Sequence, residues 1–154
     1  MAEVIDKDLG WKRIVKKTRF LDGKQIKAGV LSSAGTEANG VPIAQVGAFN
    51  EYGTKASPRR PWDVPARPFL SQTTDEKKGW QNNVTNAVDR IIGGAEVIGE
   101  LNTVGEKMKT DIKDVFGRVS KFQRLKPSTI QKKGHNLPLL DSGALYDAID
   151  YEVK

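Results

Sequence analysis

Apolar residues recur at intervals of three and four over several stretches of the chain, and this spacing predicts amphipathic helices. The first stretch covers residues 8–20, where Lys and Arg occupy the face opposite the apolar one. The predicted buried face of this helix consists of Trp11, Ile14, Val15 and Thr18. Such a helix is expected to lie on the surface of a larger core.

Two longer helices are predicted in the middle of the chain, over residues 69–92 and from about residue 96 to residue 119. Gly93 and Gly94 stop the first of them, since glycine is unfavourable inside a helix. The apolar stripe of the second helix consists of Val97, Leu101, Val104, Met108, Ile112, Val115 and Val119. So short a connection predicts that the two helices pack antiparallel as a helical hairpin.

An alternation of apolar and polar residues with a period of two predicts two strands. One strand covers residues 24–32 and the other begins at Leu145. Because a lone strand leaves its backbone N–H and C=O groups without partners, we expect the two strands to pair. The predicted inward positions are Ile26, Ala28 and Val30 in the first strand, and Ile149, Tyr151 and Val153 in the second.

Two shorter helices complete the predicted elements. Residues 41–54 are mostly apolar and predict a short buried helix that Gly53 closes, with a strand as the alternative because Gly47 weakens a helix by about 1 kcal/mol. Residues 125–134 predict the other short helix. The sum is an α+β fold in a single domain over residues 1–154, with a small, mainly antiparallel sheet packed against the long helical hairpin.

A proline-rich segment, about residues 54–68, joins the short helix to the hairpin, and we call it the arm. Its prolines restrict the backbone and favour a stiff, extended course. Trp and Arg, which the arm carries, are enriched at interface hot spots. We therefore expect residues 54–66 to form a loop that reaches a neighbouring subunit or ring, with an ordinary surface loop as the alternative. The candidate interface residues are Glu51, Tyr52, Lys55, Arg59, Arg60, Trp62, Arg67 and Phe69.

The two ends of the arm carry opposite charges. Glu51 precedes the arm and Arg67 lies near its end. A bidentate ion pair between these two side chains would fix where the arm leaves the fold and where it returns. Separate local hydrogen bonding by each side chain is the alternative.

The chain holds few of the groups that catalysis or metal binding requires. It has no cysteine and a single histidine, His135, which lies in a polar turn-like run and is expected to be exposed to solvent. Asp111 and Asp114 lie one helical turn apart beside lysines, and ion pairing on the helix surface accounts for them. No nucleotide-binding glycine motif occurs. We therefore expect no enzyme, no cofactor and no metal site.

The net charge of +6 is concentrated in two basic clusters, residues 12–19 and residues 118–133. Such clusters suit phosphate or an acidic partner surface, although a solvated face also accounts for them. A basic nucleic-acid-binding module is therefore the alternative function. No apolar run approaches the roughly 20 residues that span a bilayer. The first residues lack the apolar centre of a signal peptide, so we expect no membrane association.

Three segments, in this order, resemble one protein family. VPIAQVGAFNEYGT (41–54), PARPFL (65–70) and LKPSTIQKKG followed by LPLLDSGALYDAIDY (125–151) are similar to motifs of the neck and tail-completion proteins of tailed bacteriophages, the virion morphogenesis group. Members carry a helix ending in Asn-Glu-aromatic-Gly-Thr, a proline-rich arm ending in Pro-Ala-Arg-Pro-Phe, and a final strand. Ser142 stands where the family commonly has Thr. The resemblance covers most of residues 10–154.

This resemblance implies a structural virion protein without enzymatic activity. Such proteins assemble in the host cytoplasm as homo-oligomeric rings, often hexamers, between the head connector and the tail tube. There they end tail growth or make the tail competent to join the head. The implied partners are further copies of the chain, neighbouring neck or connector proteins and the tail-tube protein, while DNA passes through the ring without specific binding. The implied location is the neck or tail of the virion.

Overall fold

The computed structural model of the chain describes residues 8–59, 61–76, 79–118, 120 and 122–154. The helices are α1 (Trp11–Leu21), α2 (Ile43–Tyr52), α3 (Phe69–Glu76), α4 (Gly79–Gly93), α5 (Val97–Lys113), α6 (Pro127–Lys133) and α7 (Ala144–Asp147). The strands are β1 (Ile26–Val30) and β2 (Ile149–Val153), and a 3-10 turn covers Ser32–Ala34. These elements form the predicted α+β fold, in which the sheet packs against the helices.

The two strands pair antiparallel, as predicted, although they are far apart in the chain. Ile26 lies opposite Val153, and Val30 lies opposite Ile149. α5 crosses the sheet and packs against both strands. Ile26 and Val153 also contact a buried cluster formed by α4 and α5 residues. The sheet therefore joins the beginning and the end of the described chain to the helical hairpin.

The close approach of α5 to β2 depends on a glycine. A Cβ atom at Gly105 would overlap the ring of Tyr151. Beside this contact, the Nζ atom of Lys109 lies 3.0 Å from a carboxylate oxygen of Asp150 and 5.9 Å from the centre of the Tyr151 ring. The Lys109–Asp150 hydrogen bond raises the pKa of Lys109 and lowers the pKa of Asp150. α5 and β2 are thus joined by close packing and by an ion pair.

We expect Gly105→Ala to lower the free energy of unfolding by about 1–3 kcal/mol, the usual cost of overpacking. The Tyr151 ring must move or α5 must withdraw from β2. Denaturant unfolding followed by circular dichroism measures the change. Gly93→Ala is the matched control, because a Cβ there meets no atom within 4 Å. Equal stability of the two variants would contradict the close packing of α5 on β2.

The α4–α5 hairpin is confirmed, and its connection is tied to α1. The Nζ atom of Lys17 donates hydrogen bonds to the carbonyl oxygens of Ile91, at 3.1 Å, and Ala95, at 2.5 Å. A positive charge is favourable at this end of a helix. Glu96 caps the start of α5, where its carboxylate accepts hydrogen bonds from two backbone N–H groups. Those hydrogen bonds lower the pKa of Glu96.

Two buried apolar clusters form the core. In the larger, the Phe69 ring packs edge-on against the Phe116 ring, with centroids 5.2 Å apart. The buried members of this cluster are Ile43, Phe69, Ile112, Val115, Phe116, Phe122, Leu145 and Ile149. The buried members of the smaller cluster are Ile91, Val97 and Leu101. The larger cluster therefore brings α2, α3 and α7 together at the end of α5.

One predicted helix boundary is wrong. α3 and α4 lie where a helix was predicted over residues 69–92, and residues 77–78 between them lie outside the described residues. The second long helix ends at Lys113 and not near residue 119, because the chain turns there and places Phe116 in the core. The predicted stripe residue Val119 itself lies outside the described residues.

Both strands are shorter than predicted, and the segment 41–54, for which a helix and a strand were both considered, forms a helix. The strand predicted from Leu145 begins at Ile149, because the preceding residues form α7 and bury Leu145. β1 covers five residues within the predicted range 24–32. α2 confirms the predicted helix over the strand alternative. Gly47 is buried in it, and a Cβ there would lie 3.3 Å from a methyl carbon of Val30.

Two predictions about side chains are also wrong. Trp11, predicted on the buried face of α1, is 69 % exposed, and α1 has no buried residue. Asp111, predicted on the helix surface, is 2 % exposed. Its carboxylate accepts a hydrogen bond of 2.9 Å from the Trp80 indole N–H and forms an ion pair with Lys107. Asp111 therefore links α4 to α5 from inside the hairpin.

Candidate functional site

The arm leaves α2 at a position that favours glycine. Gly53 directly follows α2 and has a φ of +70°. A Cβ atom there would stand 2.7 Å from the carbonyl oxygen of Val64 and 2.8 Å from the backbone nitrogen of Ala66. Both neighbours are backbone atoms, which cannot rotate away as a side chain can. The two ends of the arm therefore touch at Gly53, where glycine permits the approach.

The arm is closed at its base and ordered beyond it. Thr54 and Val64 exchange two backbone hydrogen bonds, of 3.0 and 2.8 Å, in an isolated antiparallel bridge. Further out, the Asp63 carboxylate accepts the backbone N–H of Ala56 at 2.7 Å and lies 3.7 Å from the Nζ atom of Lys55. These bonds join the outgoing and returning segments of the arm beyond its base.

The returning end of the arm is held by Glu51, which is 5 % exposed. Its carboxylate accepts hydrogen bonds from the backbone N–H groups of Leu70 and Ser71, both at 2.9 Å, and from the Ser71 hydroxyl. A carboxylate at the first turn of a helix also interacts favourably with the helix dipole. The prediction of a Glu51–Arg67 ion pair is therefore wrong, because the Glu51 carboxylate is occupied at the start of α3.

Arg67 has no carboxylate partner among the described residues. Its backbone N–H donates to the carbonyl oxygen of Asn50 at 2.6 Å, which fixes its position beside α2. Its side-chain Nε atom is buried without a hydrogen-bond partner, as is the hydroxyl oxygen of Thr54. Burial lowers the pKa of Arg67. Buried polar atoms without partners are uncommon in proteins, so these two single out this part of the surface.

Arg67 and Thr54 line a cavity of about 1260 Å³, which we call the cleft. The arm forms one wall, and residues from the segment 123–145, which includes α6, form the other. Lys133, in the last turn of α6, donates a hydrogen bond of 3.3 Å to the carbonyl oxygen of Leu137. Burial lowers the pKa of Lys133, and the nearby Arg67 adds to this effect while Asp141 opposes it. Two cations that repel each other electrostatically thus line the same cleft.

The structure distributes the predicted interface residues among several environments. Exposed on the arm or beside it are Tyr52, Lys55, Arg59 and Trp62. Glu51 and Phe69 are buried, so neither side chain offers surface to a partner. Arg67 lines the cleft. Arg60 lies outside the described residues.

The two basic clusters have different surroundings. In the first cluster Lys17 is bound to the hairpin connection, while the exposed members are Lys12, Arg13, Lys16 and Arg19. In the second cluster Arg118 lies 3.8 Å from Glu76, and the members that line the cleft are Arg124, Lys126 and Lys133. Sequence reasoning identified this basic cluster but did not place it opposite the arm, because that juxtaposition arises only in the fold.

Groups for metal binding do not converge in the described part of the chain, where no three His, Asp or Glu side chains are placed to hold a metal ion. His135, predicted to be exposed, is half-buried, and its Nδ1 atom accepts the backbone N–H of Leu137 at 3.3 Å. That contact shapes the turn after α6. Within the described ranges, no helix has the length and apolar character needed to cross a membrane.

Comparison with known proteins identified no relative of this chain. No protein-family model matches the chain, and neither a curated protein nor a solved structure gives a significant match. The arm and the adjoining cleft are therefore the candidate functional site on the strength of their geometry and charge.

Proposed function

We propose that this protein is a structural component of the head–tail interface of a tailed bacteriophage, acting in tail completion or as a neck ring. In this proposal the chain assembles into a homo-oligomeric ring, hexameric as is common in the family it resembles. The ring contacts connector and tail-tube proteins in the virion and makes or breaks no covalent bond. DNA passes through its centre without specific binding.

The closed arm, with the exposed Trp62 on it and the exposed Tyr52 beside it, is the observation that carries this proposal. Trp62 is 55 % exposed and Tyr52 is 79 % exposed, and the exposed Arg59 lies on the same arm. These are residue types that dominate binding at protein interfaces. Because the Thr54–Val64 bridge closes the arm, little conformational entropy remains to be lost on docking. The arm is therefore suited to contact a neighbouring subunit.

The positions of the three segments that carry the family resemblance also support the proposal. Segment 41–54 ends at the base of the arm, segment 65–70 follows its return, and segment 125–151 contributes the opposite wall of the cleft. Segments that are distant in sequence thus surround one surface feature. Segments that a protein family keeps for binding a common partner would be expected to surround one surface feature in this way.

A closed ring places one further requirement on the protomer. Each copy must present two different surfaces, because a contact that closes by rotation is heterologous. The arm supplies one of them in this proposal. Since its tip is exposed and its base is bonded to α2, it can extend to a second copy while its own fold stays intact.

We expect Trp62→Ala to shift the assembly from the ring towards the monomer. Loss of a hot-spot residue costs about 2 kcal/mol or more at each contact, which weakens each contact roughly 30-fold. Native mass spectrometry at several protein concentrations measures the distribution of species. Trp62→Phe is the matched control, because it keeps an aromatic side chain at the same position and should retain most of the ring. A monomeric wild-type protein, or an unchanged ring in Trp62→Ala, would refute the role of the arm.

The alternative function is a basic nucleic-acid-binding module. The exposed cations of α1 are the observation that favours it, and they are Lys12, Arg13, Lys16 and Arg19. Binding to duplex DNA that falls steeply with salt concentration would support this alternative. A discrete ring that binds DNA only feebly would support the structural role.

The place of the protein in the virion is tested by electron microscopy of a phage that lacks it. Overlong tails would indicate that the protein ends tail growth. Tails of normal length that fail to join heads would indicate a role in completion or joining. Infectious particles that form without the protein would overturn the proposed function.

A further inference from the structure

The cleft contains more positive than negative charge on its walls. Five basic side chains line it, namely Lys55, Arg67, Arg124, Lys126 and Lys133, against the acidic side chains of Glu37, Asp63 and Asp141. Asp63 is already engaged by the backbone N–H of Ala56 and lies near Lys55. The acidic groups therefore do not neutralise the cleft.

The two partly buried cations of the cleft, Arg67 and Lys133, have no carboxylate partner among the described residues. Arg67 has a buried Nε atom with no acceptor, next to the arm. Lys133 forms no ion pair among the described residues, and its hydrogen bond goes to a neutral carbonyl oxygen. An unpaired charge away from water is unfavourable, because it loses hydration without gaining a partner. A ligand that brings a negative charge between Arg67 and Lys133 would remove this cost.

The buried hydroxyl of Thr54 points to the same ligand chemistry. A hydroxyl can donate one hydrogen bond, and the Thr54 oxygen has no protein partner. It belongs to the residue whose backbone closes the arm, so its position is fixed. Arginine, lysine and a hydroxyl together are donors, and the group that accepts from all three at close range is an oxyanion.

We propose that the cleft binds an acidic peptide segment of a neighbouring virion subunit, with a side-chain carboxylate placed between Arg67 and Lys133. The exposed Tyr52 and Trp62 also line the cleft, so they are positioned to contact the rest of the peptide. The identity of the donor as a virion subunit rests on the proposed function. The affinity of the cleft for acidic peptide does not depend on it.

The burial of these groups favours a peptide over duplex DNA. Binding to a duplex is dominated by phosphates along its backbone, which are met by cations that reach out from a surface. Arg67 and Lys133 are instead recessed between the arm and α6. A carboxylate on a flexible side chain can enter such a cleft, whereas phosphates on a stiff duplex are held at its mouth.

Fluorescence anisotropy with a short labelled polyglutamate peptide tests this proposal. We expect saturable binding by the wild-type chain and a dissociation constant raised about tenfold or more in Arg67→Gln, since a hydrogen bond to a charged group contributes about 1.5–3 kcal/mol. Lys133→Gln should weaken binding in the same direction and serves as the second variant if Arg67→Gln unfolds. Lys12→Gln is the matched control, because it removes the same charge from the exposed face of α1 and should leave the affinity within about twofold.

Several outcomes would overturn the proposal. These are an absence of saturable binding, equal weakening in all three variants, or binding of a labelled DNA duplex that is tighter than peptide binding and equally dependent on Arg67. Native mass spectrometry of the wild-type chain separates the two proposals. Intact rings without peptide binding would refute only the cleft ligand, and peptide binding by a chain that never forms rings would refute only the assembly role.

Discussion

Phe69→Ala is expected to lower the free energy of unfolding by about 3–5 kcal/mol, the usual cost of truncating a buried phenylalanine. The Phe69 side chain is 0 % exposed, and its ring packs against that of Phe116 at the centre of the larger core cluster. Truncation leaves a cavity. The backbone of α3 cannot move in to fill it, because Glu51 holds the start of α3 in place. Denaturant unfolding gives the difference directly.

Tyr52→Ala is the matched control for this loss. It also removes an aromatic ring, but from a side chain that is 79 % exposed at the other end of the arm. Its free energy of unfolding should stay within about 0.5 kcal/mol of the wild-type value. If both variants lose the same stability, the assignment of Phe69 to the core and of Tyr52 to the surface is wrong.

The second large effect is expected from Gly53→Ala, at about 2–4 kcal/mol. Part of this cost comes from the backbone, since a φ of +70° with a ψ of 177° is a conformation that residues other than glycine rarely adopt. The rest comes from overlap between the new Cβ and the backbone of Val64 and Ala66. The overlap pushes the two ends of the arm apart, so the bridge between Thr54 and Val64 should open as well. Hydrogen exchange of the Thr54 and Val64 amides reports this opening.

Gly23→Ala separates the two contributions. Its φ of +76° is close to that of Gly53, but a Cβ there meets no atom within 4 Å. We expect it to cost only the conformational part, about 1–2 kcal/mol, and to leave amide exchange in the arm unchanged. A loss of stability in Gly53→Ala no greater than in Gly23→Ala would show that the arm does not close on Gly53.

The elements that sequence reasoning predicted correctly are those in which local pattern and tertiary packing agree. The apolar stripe of α5 and the stop at Gly93 follow from helix periodicity and glycine alone. The pairing of β1 with β2 followed from the requirement that each strand find backbone partners. In contrast, the boundary at Lys113 was missed, because the apolar residues beyond it, such as Phe116, continue the helical spacing while the chain turns into the core.

The candidate site could be predicted only in part. The arm was recognised from its prolines and from Trp62, and its order is visible in the Thr54–Val64 bridge. The role of Glu51 was not predicted, since a carboxylate that caps a helix nineteen or twenty residues later leaves no periodic signal. The cleft was missed for the same reason, because Arg67 and Lys133 line it together only through the tertiary fold and belong to different local patterns.

The pairing of β1 with β2 also sets the order of events during synthesis. Contacts between distant parts of a chain form slowly, because a long loop must be closed first. Among the described residues β1 pairs with β2 alone, and β2 is made after all of the helices. Until Val153 has left the ribosome, the nascent chain can fold its helices but cannot complete the sheet on which α5 rests. The packing of α5 against β2, and any surface that depends on the completed sheet, can therefore form only after Ile149–Val153 has been synthesised.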